Sequence, residues 1–446
     1  MNEISFSRKD LRDLCMPLVL EQLLLFAVGL ADSLMVAGVS HAAVSGVSLV
    51  DSVSALIIAV FTAFAAGGAV VAGQALGRRD ESGGRDAAKQ LLVTLFLASV
   101  LVTAGLYAAE DFVLGKVFGK VEADVALATK QYYDIVMMSV PMIALYNAGT
   151  ALMRMMQRSD VTFRVSLLMN GVNIVGNAIL IYGFKMGVVG AAIPTLVSRL
   201  VAMFVILGLL RQEKYSLCIR GMRHYRYHAK TVKNILSIGV PGGLENGMFY
   251  FGRLVLTSLI STLGTASITA NAIGNTVGNF HVCCGSAIGL GLTAVASRCV
   301  GAGDYEAARR YTRRLTVQEY IVQTVMNALI FAAMPLIYRI YHISGETARL
   351  TFWVLTIHGL ASILLHSPSF LLCNTLRSAG DARFTMIVSS LSMWLCRVGL
   401  GYLFALTFEM GVVGVYTAHA VDWLARSIVF IIRYRGHRWE QYRLTK

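Results

Sequence analysis

Residues 71–86, VAGQALGRRDESGGRD, recur as VASRCVGAGDYEAARR at 295–310, and MGVVGA at 186–191 recurs as MGVVGV at 410–415. Both pairs are separated by 224 residues, and the same shift carries Pro17 onto Pro241 and Glu21 onto Glu245. A chain that repeats a unit of this length is read first as a duplication, because the repeat limits every later choice of fold. The repeated unit is strongly apolar, and apolar tandem halves are the pattern of transporters whose binding sites lie at the repeat interface.

Residues of the AVILMFWYC set make up 56% of the chain and charged residues 14%, where a soluble domain carries roughly a quarter charged. Mean hydropathy is +0.64. Twelve apolar runs are long enough to span a bilayer: 14–37, 43–71, 90–110, 132–153, 163–183, 188–210, 236–262, 268–297, 316–338, 350–373, 384–406 and 411–433. The first run is too long for a signal-peptide core and opens a repeat. The expected fold is an all-α integral membrane protein of twelve transmembrane helices in two parallel-repeat six-helix bundles. The N-lobe covers 1–212, a basic linker 213–233, and the C-lobe 234–446. An even number of spans per half gives both halves one orientation, related by an axis along the membrane normal.

A net charge of +14 would suggest nucleic acid if the charges were clustered on a surface. They alternate with the loops instead. Of 39 Lys and Arg, 29 fall before the first span, in alternate connections and after the last span, counting the span-edge Arg164 and Arg433 with the loops beside them. The remaining connections hold six, Lys116, Lys120, Lys130, Lys185, Arg339 and Arg349, and the spans hold Arg199, Arg253, Arg397 and Arg426. This is the positive-inside bias of a multi-pass protein of the cytoplasmic membrane with both termini in the cytoplasm. The lipid bilayer is its surroundings and nucleic acid is not a partner. The linker EKYSLCIRGMRHYRYHAKTVK reads as a solvated cytoplasmic connection in preference to a calmodulin or lipid-headgroup site.

Ionisable residues at bilayer depth are costly unless paired or wet, so each is a functional candidate. Asp32 lies well inside the first span with no basic residue within four positions on its helix. Asn170, Asn173 and Asn177 of the fifth span repeat at intervals of three and four and share one arc. A carboxylate facing amides can hold a proton, or a Na+ ion whose water the amide oxygens replace. Asn rows also bond helix to helix with no further role. Glu21 and Glu245 each follow a span proline by four residues. Pro17 and Pro241 mark candidate hinges, and the two glutamates belong either to a moving part or to the backbone the proline disrupts. Asp422 and Arg426, four apart on the last span, with Arg397, read as a structural ion pair or triad. Asp51, Arg253, His281, His358 and His366 either line a cavity or are satisfied buried groups.

No Walker A loop, HExxH, GxSxG or metal-ligand cluster appears, and no pair among the seven Cys has zinc or redox spacing. GSAIGLG at 285–291 has the GxxxG spacing of close helix packing. The chain is therefore expected to be no enzyme, to need no cofactor or resident metal beyond a coupling ion, and to act as a monomer.

The Pro17–Asp32 segment, GQALGRRDESGGRDA and its second-half counterpart, GVVGAAIPTLVSR at 187–199 and LRSAGDARFTM at 376–386 resemble the multidrug and toxic compound extrusion (MATE) family over almost the whole chain. The resemblance implies a V-shaped pair of six-helix bundles exporting organic, often cationic or amphipathic, small molecules in exchange for inward H+ or Na+. It implies that Asp32 is the cation-coupling aspartate, with Asn173, Asn177 and Thr195 as its polar partners, and that the first span bends at Pro17. NorM-like members carry an acid in the tenth span where this chain has His358 and His366, and Glu245 lies nearer the start of the seventh span than theirs. The pattern is closer to DinF-like members, with coupling in the first lobe and H+ favoured over Na+. Two other readings stay open. A lipid-linked precursor flippase would show a cationic cavity, and five intramembrane acids against four arginines show no such excess. A membrane-embedded transferase would show polar residues in outer loops, which here are short and bare.

Overall fold

The computed structural model describes residues 4–117, 122–222 and 225–442, so Lys120 and residues 223–224 of the linker lie outside it. Among the described residues there are helices and no strands. The long ones are α1 (Arg8–Ala37), α2 (His41–Gly77), α3 (Glu81–Ala108), α4 (Ala123–Met155), α5 (Ser159–Gly183), α6 (Val189–Leu210), α7 (Ala229–Ser261) and α8 (Thr265–Gly301). They continue with α9 (Tyr305–Ala332, extended past a 53° bend by Met334–Ile340), α10 (Gly345–Ser378), α11 (Ala382–Thr407) and α12 (Gly411–Arg435). Ten are long and apolar enough to cross a membrane, and α9 makes eleven if its bent pair is one span. The exception, α7, has 33 residues. Its PGGLENG run and Arg253 dilute its apolarity. The chain is a multi-pass membrane protein.

The backbone repeats at the offset found in the sequence. Helix α2 runs over 41–77 and α8 over 265–301, while α1 and α7 end at 37 and 261. Left-handed backbone recurs as well: Lys185 and Glu409 both have φ of 54°, and Gly187 and Gly411 have φ of 59° and 57°. Asp80 caps α3 by accepting the Gly83 N–H at 2.8 Å, and Asp304 caps α9 by accepting the Ala307 N–H at 2.8 Å. Such caps satisfy donors that a helix start leaves open.

Contacts divide the chain into two compact units, Phe6–Gly243 and one built on Leu244–Lys446. In the first, α1 packs on α5, α2 on α3 and α4, and α5 on α6. In the second, α8 packs on α9 and α10, and α12 on α10 and α11. Small residues set the closest approaches: a Cβ on Gly46 would lie 2.8 Å from the Thr129 backbone nitrogen, so α2 and α4 meet there only because the side chain is missing. Gly285, from the GSAIGLG run, lies against Glu319 and His366 in the same way. The division falls inside α7, whose Gly239 faces Phe64 of α2.

The linker is not the solvated connection its charge suggests. Tyr215, Leu217, Cys218 and Ile219 are buried, because the YSLCI run supplies apolar side chains that cover the end of the first unit. Arg85 donates to the Ser216 carbonyl at 3.0 Å and Gln90 to the Arg226 carbonyl at 2.6 Å. Asp86 accepts from Thr231 at 3.2 Å and lies 2.7 Å from His228 Nδ1.

Hydrogen bonds from the Gly83 backbone and from Ser82 hold the Asp80 carboxyl below its ordinary range. The depressed value means that the cap's contribution is present above the unfolded carboxyl's range and fades as pH falls through the folded one. Asp80→Ala and Asp304→Ala are each expected to cost about 1 kcal/mol, read as matched drops in thermal midpoint in detergent at pH 7. A silent Asp304→Ala beside a damaging Asp80→Ala would contradict the equivalence of the two caps.

Candidate functional site

In the Phe6–Gly243 unit, α1 carries Asp32 to a point where α5 presents two buried amides. Asn177 Nδ2 donates to Asp32 Oδ1 at 2.9 Å. The Asn173 amide fits its surroundings with nitrogen toward Asp32, donating to the two carboxylate oxygens at 2.9 and 3.1 Å, and oxygen accepting from Thr195 Oγ1 at 3.2 Å. Helical spacing of four residues is what lets both amides reach one carboxylate. Asn170, the third of the row, donates to Ser166 of its own helix at 3.3 Å. Asn177 Oδ1 is buried and has no partner among the described residues. Directly after Asn177 the helix widens into a π-helical stretch, Ala178–Gly183, a distortion common at functional sites.

Asp51 of α2 accepts from Tyr132 of α4 at 3.3 Å. Arg199 lies close enough for its charge to act on Tyr132, Asp51 and Asp32, and it donates to Ser139 at 2.6 Å. The sequence reading missed Tyr132 and Arg199. For Arg199 the signal existed, since it follows Thr195 by one helical turn.

Glu21 is not bonded to the backbone disrupted by Pro17. It pairs with Arg154 at 3.5 Å and accepts from Thr162 at 3.1 Å. A bare carbonyl needs a donor, which a carboxylate lacks, and Ser159 Oγ supplies one to the Asp13 and Leu14 carbonyls at 3.3 and 2.5 Å. Its counterpart Glu245 is likewise held by an arginine, Arg377, with Arg426 at 4.0 Å. Pro17 and Pro241 both lie within unbroken helices.

The Leu244–Lys446 unit encloses a cavity of about 310 Å³, within the range of small-molecule sites. Arg253, Arg377 and Arg397 reach its wall, against one lining carboxylate, Glu245. Phe249, Phe370, Tyr416 and Trp423 supply aromatic faces. Two expectations need correction here. Arg426 does not pair with Asp422, because Arg397 reaches across from α11, donating from Nε to Asp422 Oδ2 at 2.9 Å with Nη2 2.7 Å from the same oxygen. Ser392 accounts for the other oxygen at 2.5 Å. Arg426 instead lies over the Phe249 and Phe370 rings, 4.9 and 4.6 Å from their centroids, and none of its guanidinium nitrogens has a hydrogen-bond partner among the described residues. His358 lines the cavity. His281 is stacked behind it, Nδ1 to Nδ1 at 2.9 Å. His366 is bound to a buried glutamate that the sequence reading missed, Glu319, at 2.5 Å.

Among the described residues no group of three or more His, Cys, Asp or Glu could hold a metal ion. A family model described as MatE matches residues 17–179 and again 241–403. The chain is 27% identical to the uncharacterized transporter YisQ of Bacillus subtilis, over 97% of this chain and 95% of that one. It is 24% identical to the probable multidrug resistance protein NorM of Thermotoga maritima, over 98% and 94%. A crystal structure of MATE in complex with MaD3S superposes with a TM-score of 0.88 at 20% identity, covering 96% of this chain and 95% of that one. Two matched segments and full-length relatives with this fold leave one conclusion: the chain belongs to the MATE family.

Proposed function

We propose that this protein is a secondary-active antiporter that exports small amphipathic organic compounds across the cytoplasmic membrane in exchange for an inward coupling ion bound at Asp32. Membership of a family whose members are transporters makes it a transporter and not an enzyme. The observation that carries the coupling role is the Asp32 carboxylate held by two neutral amides, Asn173 and Asn177, with no arginine bonded to it. Glu21, Glu245, Asp422 and Glu319 are engaged by arginine or histidine partners, and those bonds already use the charge a coupling ion would need, whereas Asp51 accepts from the Tyr132 hydroxyl. Asp32 keeps its charge available amid buried amides, with Thr195 fixing the amide that faces it. One charge crossing 100 mV is worth roughly 2.3 kcal/mol, enough for a gradient of nearly two decades. Alternating access needs bending elements, and the helices that carry Pro17 and Pro241 are assigned that part.

The coupling ion is assigned as H+. Asn177 turns its N–H group toward Asp32, and the Asn173 amide satisfies its neighbours best with its N–H there as well. A hard cation such as Na+ exchanges its water for several oxygens at once, which would require the amides to rotate. A proton requires one carboxylate.

The orientation follows the charge bias, with both termini and the 213–233 linker in the cytoplasm. A reporter fused after residue 446 is expected to be active only in the cytoplasm; activity outside the cell would overturn the topology. In proteoliposomes, Asp32→Asn is expected to bring uphill transport down to the level of empty liposomes while substrate binding persists. Unchanged uphill transport would place coupling elsewhere, with Asp51 next in line. A pH gradient in sodium-free buffer is expected to drive wild-type transport. Failure there, with recovery under a sodium gradient, would reassign the ion to Na+.

A further inference from the structure

The duplication allows the two copies of the site to be compared residue by residue. At the offset of 224, Asp32 corresponds to Leu256, Asn173 to Arg397, and Thr195 to His419. The loop on which this depends is in register, since the left-handed residues Lys185 and Gly187 fall on Glu409 and Gly411. Leu256, Arg397 and His419 all line the cavity of the Leu244–Lys446 unit. Where the first unit places an acid among neutral amides, the second has removed the acid and installed a cation. The single lining carboxylate, Glu245, is already engaged by Arg377, and Asp422 is consumed by Arg397 and Ser392. Two guanidinium groups are left over. Arg253 lines the cavity, and no hydrogen bond or ion pair of its side chain is found among the described residues. Arg426 is fully buried behind Phe249 and Phe370, its nearest carboxylate oxygen 4.0 Å away on a glutamate that Arg377 already holds. Arg426, buried with no hydrogen bond among the described residues and only a distant carboxylate, is incompletely compensated and favours further negative charge nearby, while Arg253 is exposed to the cavity and free to receive it.

We propose that this cavity receives the transported compound and that the compound is an amphipathic organic anion, an aromatic body bearing a carboxylate or sulfonate. The substituent is met by Arg253, with the field of Arg426 behind the wall. The ring lies among Phe249, Phe370, Tyr416 and Trp423, which a body of this kind covers and a bare inorganic anion does not. This rests on the antiporter reading above and sharpens it, since the lining repels the cationic compounds that the family resemblance suggests. It also changes the charge moved per cycle. Inward H+ exchanged for an outward monovalent anion carries two charges across the membrane, whereas exchange for a monovalent cation carries none.

Calorimetric titration of the purified full-length protein with naphthalene-2-sulfonate, and with N-methylquinolinium as a cation of similar size, tests the class directly. Binding of the sulfonate and not of the quinolinium is expected. Arg253→Gln should weaken the sulfonate roughly tenfold or more, and Arg253→Lys should restore most of the loss. Preference for the quinolinium, or a sulfonate affinity unchanged in Arg253→Gln, overturns the proposal. Tighter binding of inorganic pyrophosphate than of naphthalene-2-sulfonate overturns it in favour of a pyrophosphate-headed lipid. Transport of the same probes in proteoliposomes separates this from the underlying reading. Sulfonate movement driven by both a pH gradient and a membrane potential supports both. Uphill movement of the quinolinium alone leaves the antiporter standing and removes the anion. Sulfonate binding with no gradient-driven movement keeps the anion site and removes the antiporter.

Discussion

A charge withdrawn from water into a helical bundle must find a compensating partner, and most of the polar architecture of this chain answers that demand. Glu21 takes Arg154, Glu245 takes Arg377, Asp422 takes Arg397, and Glu319 takes His366. Each pair ties one helix to another inside its unit, so the pairs fix helix register as well as compensate charge. Among the described residues several groups stand outside the scheme. Asp32 is met only by amides, Arg426 only by aromatic rings and a distant, already engaged carboxylate, and Arg253 faces an open cavity. Asp51 and Arg199 are bonded only to the neutral Tyr132 and Ser139; such exceptions are where a mobile ion or ligand has something to complete.

Local backbone supports the same division. The π-helical stretch Ala178–Gly183 begins right after Asn177, Ser367–Leu371 begins right after His366, and Met393–Gly399 contains Arg397. A wider turn displaces side chains from the ordinary helical arc. In Ser367–Leu371 the cause is visible in the sequence, since Pro368 has no N–H to give to the ladder.

Much of this was legible from the residues because periodicity is a strong signal for what one helix presents. Asn173 and Asn177, four apart, do reach the same carboxylate, and the helix boundaries follow the sequence offset. What was not legible depends on what a neighbouring helix offers. Asp422 and Arg426 have the spacing of a pair, yet Arg397 from the neighbouring helix takes one carboxylate oxygen and Ser392 the other, which leaves none for Arg426. Glu319 was hidden for another reason. The ninth apolar run begins at 316, but α9 begins at Tyr305, so a residue that looks like the edge of a span lies about four turns inside a helix, bound to His366. The linker misled because its basic residues mask the short YSLCI run that docks.

The contrast between the two units bears on how transport is driven. If the first unit keeps its acid for the ion and the second has replaced its own with cations for the substrate, no single site exchanges one ligand for the other by competition. The ion and the compound must then communicate through a conformational equilibrium that both bias, each only by its difference in affinity between the two states. Such linkage is reciprocal: whatever factor protonation of Asp32 applies to anion affinity, the anion applies to the proton affinity of Asp32. The prolines of α1 and α7 then acquire a defined part. Asp32 and Arg253 lie on these two proline-bearing helices, so occupancy of either site can be felt by a helix able to bend. On the proposed assignment, divergence of one duplicated site into opposite charges would turn two copies of a bundle into two ends of one coupled cycle.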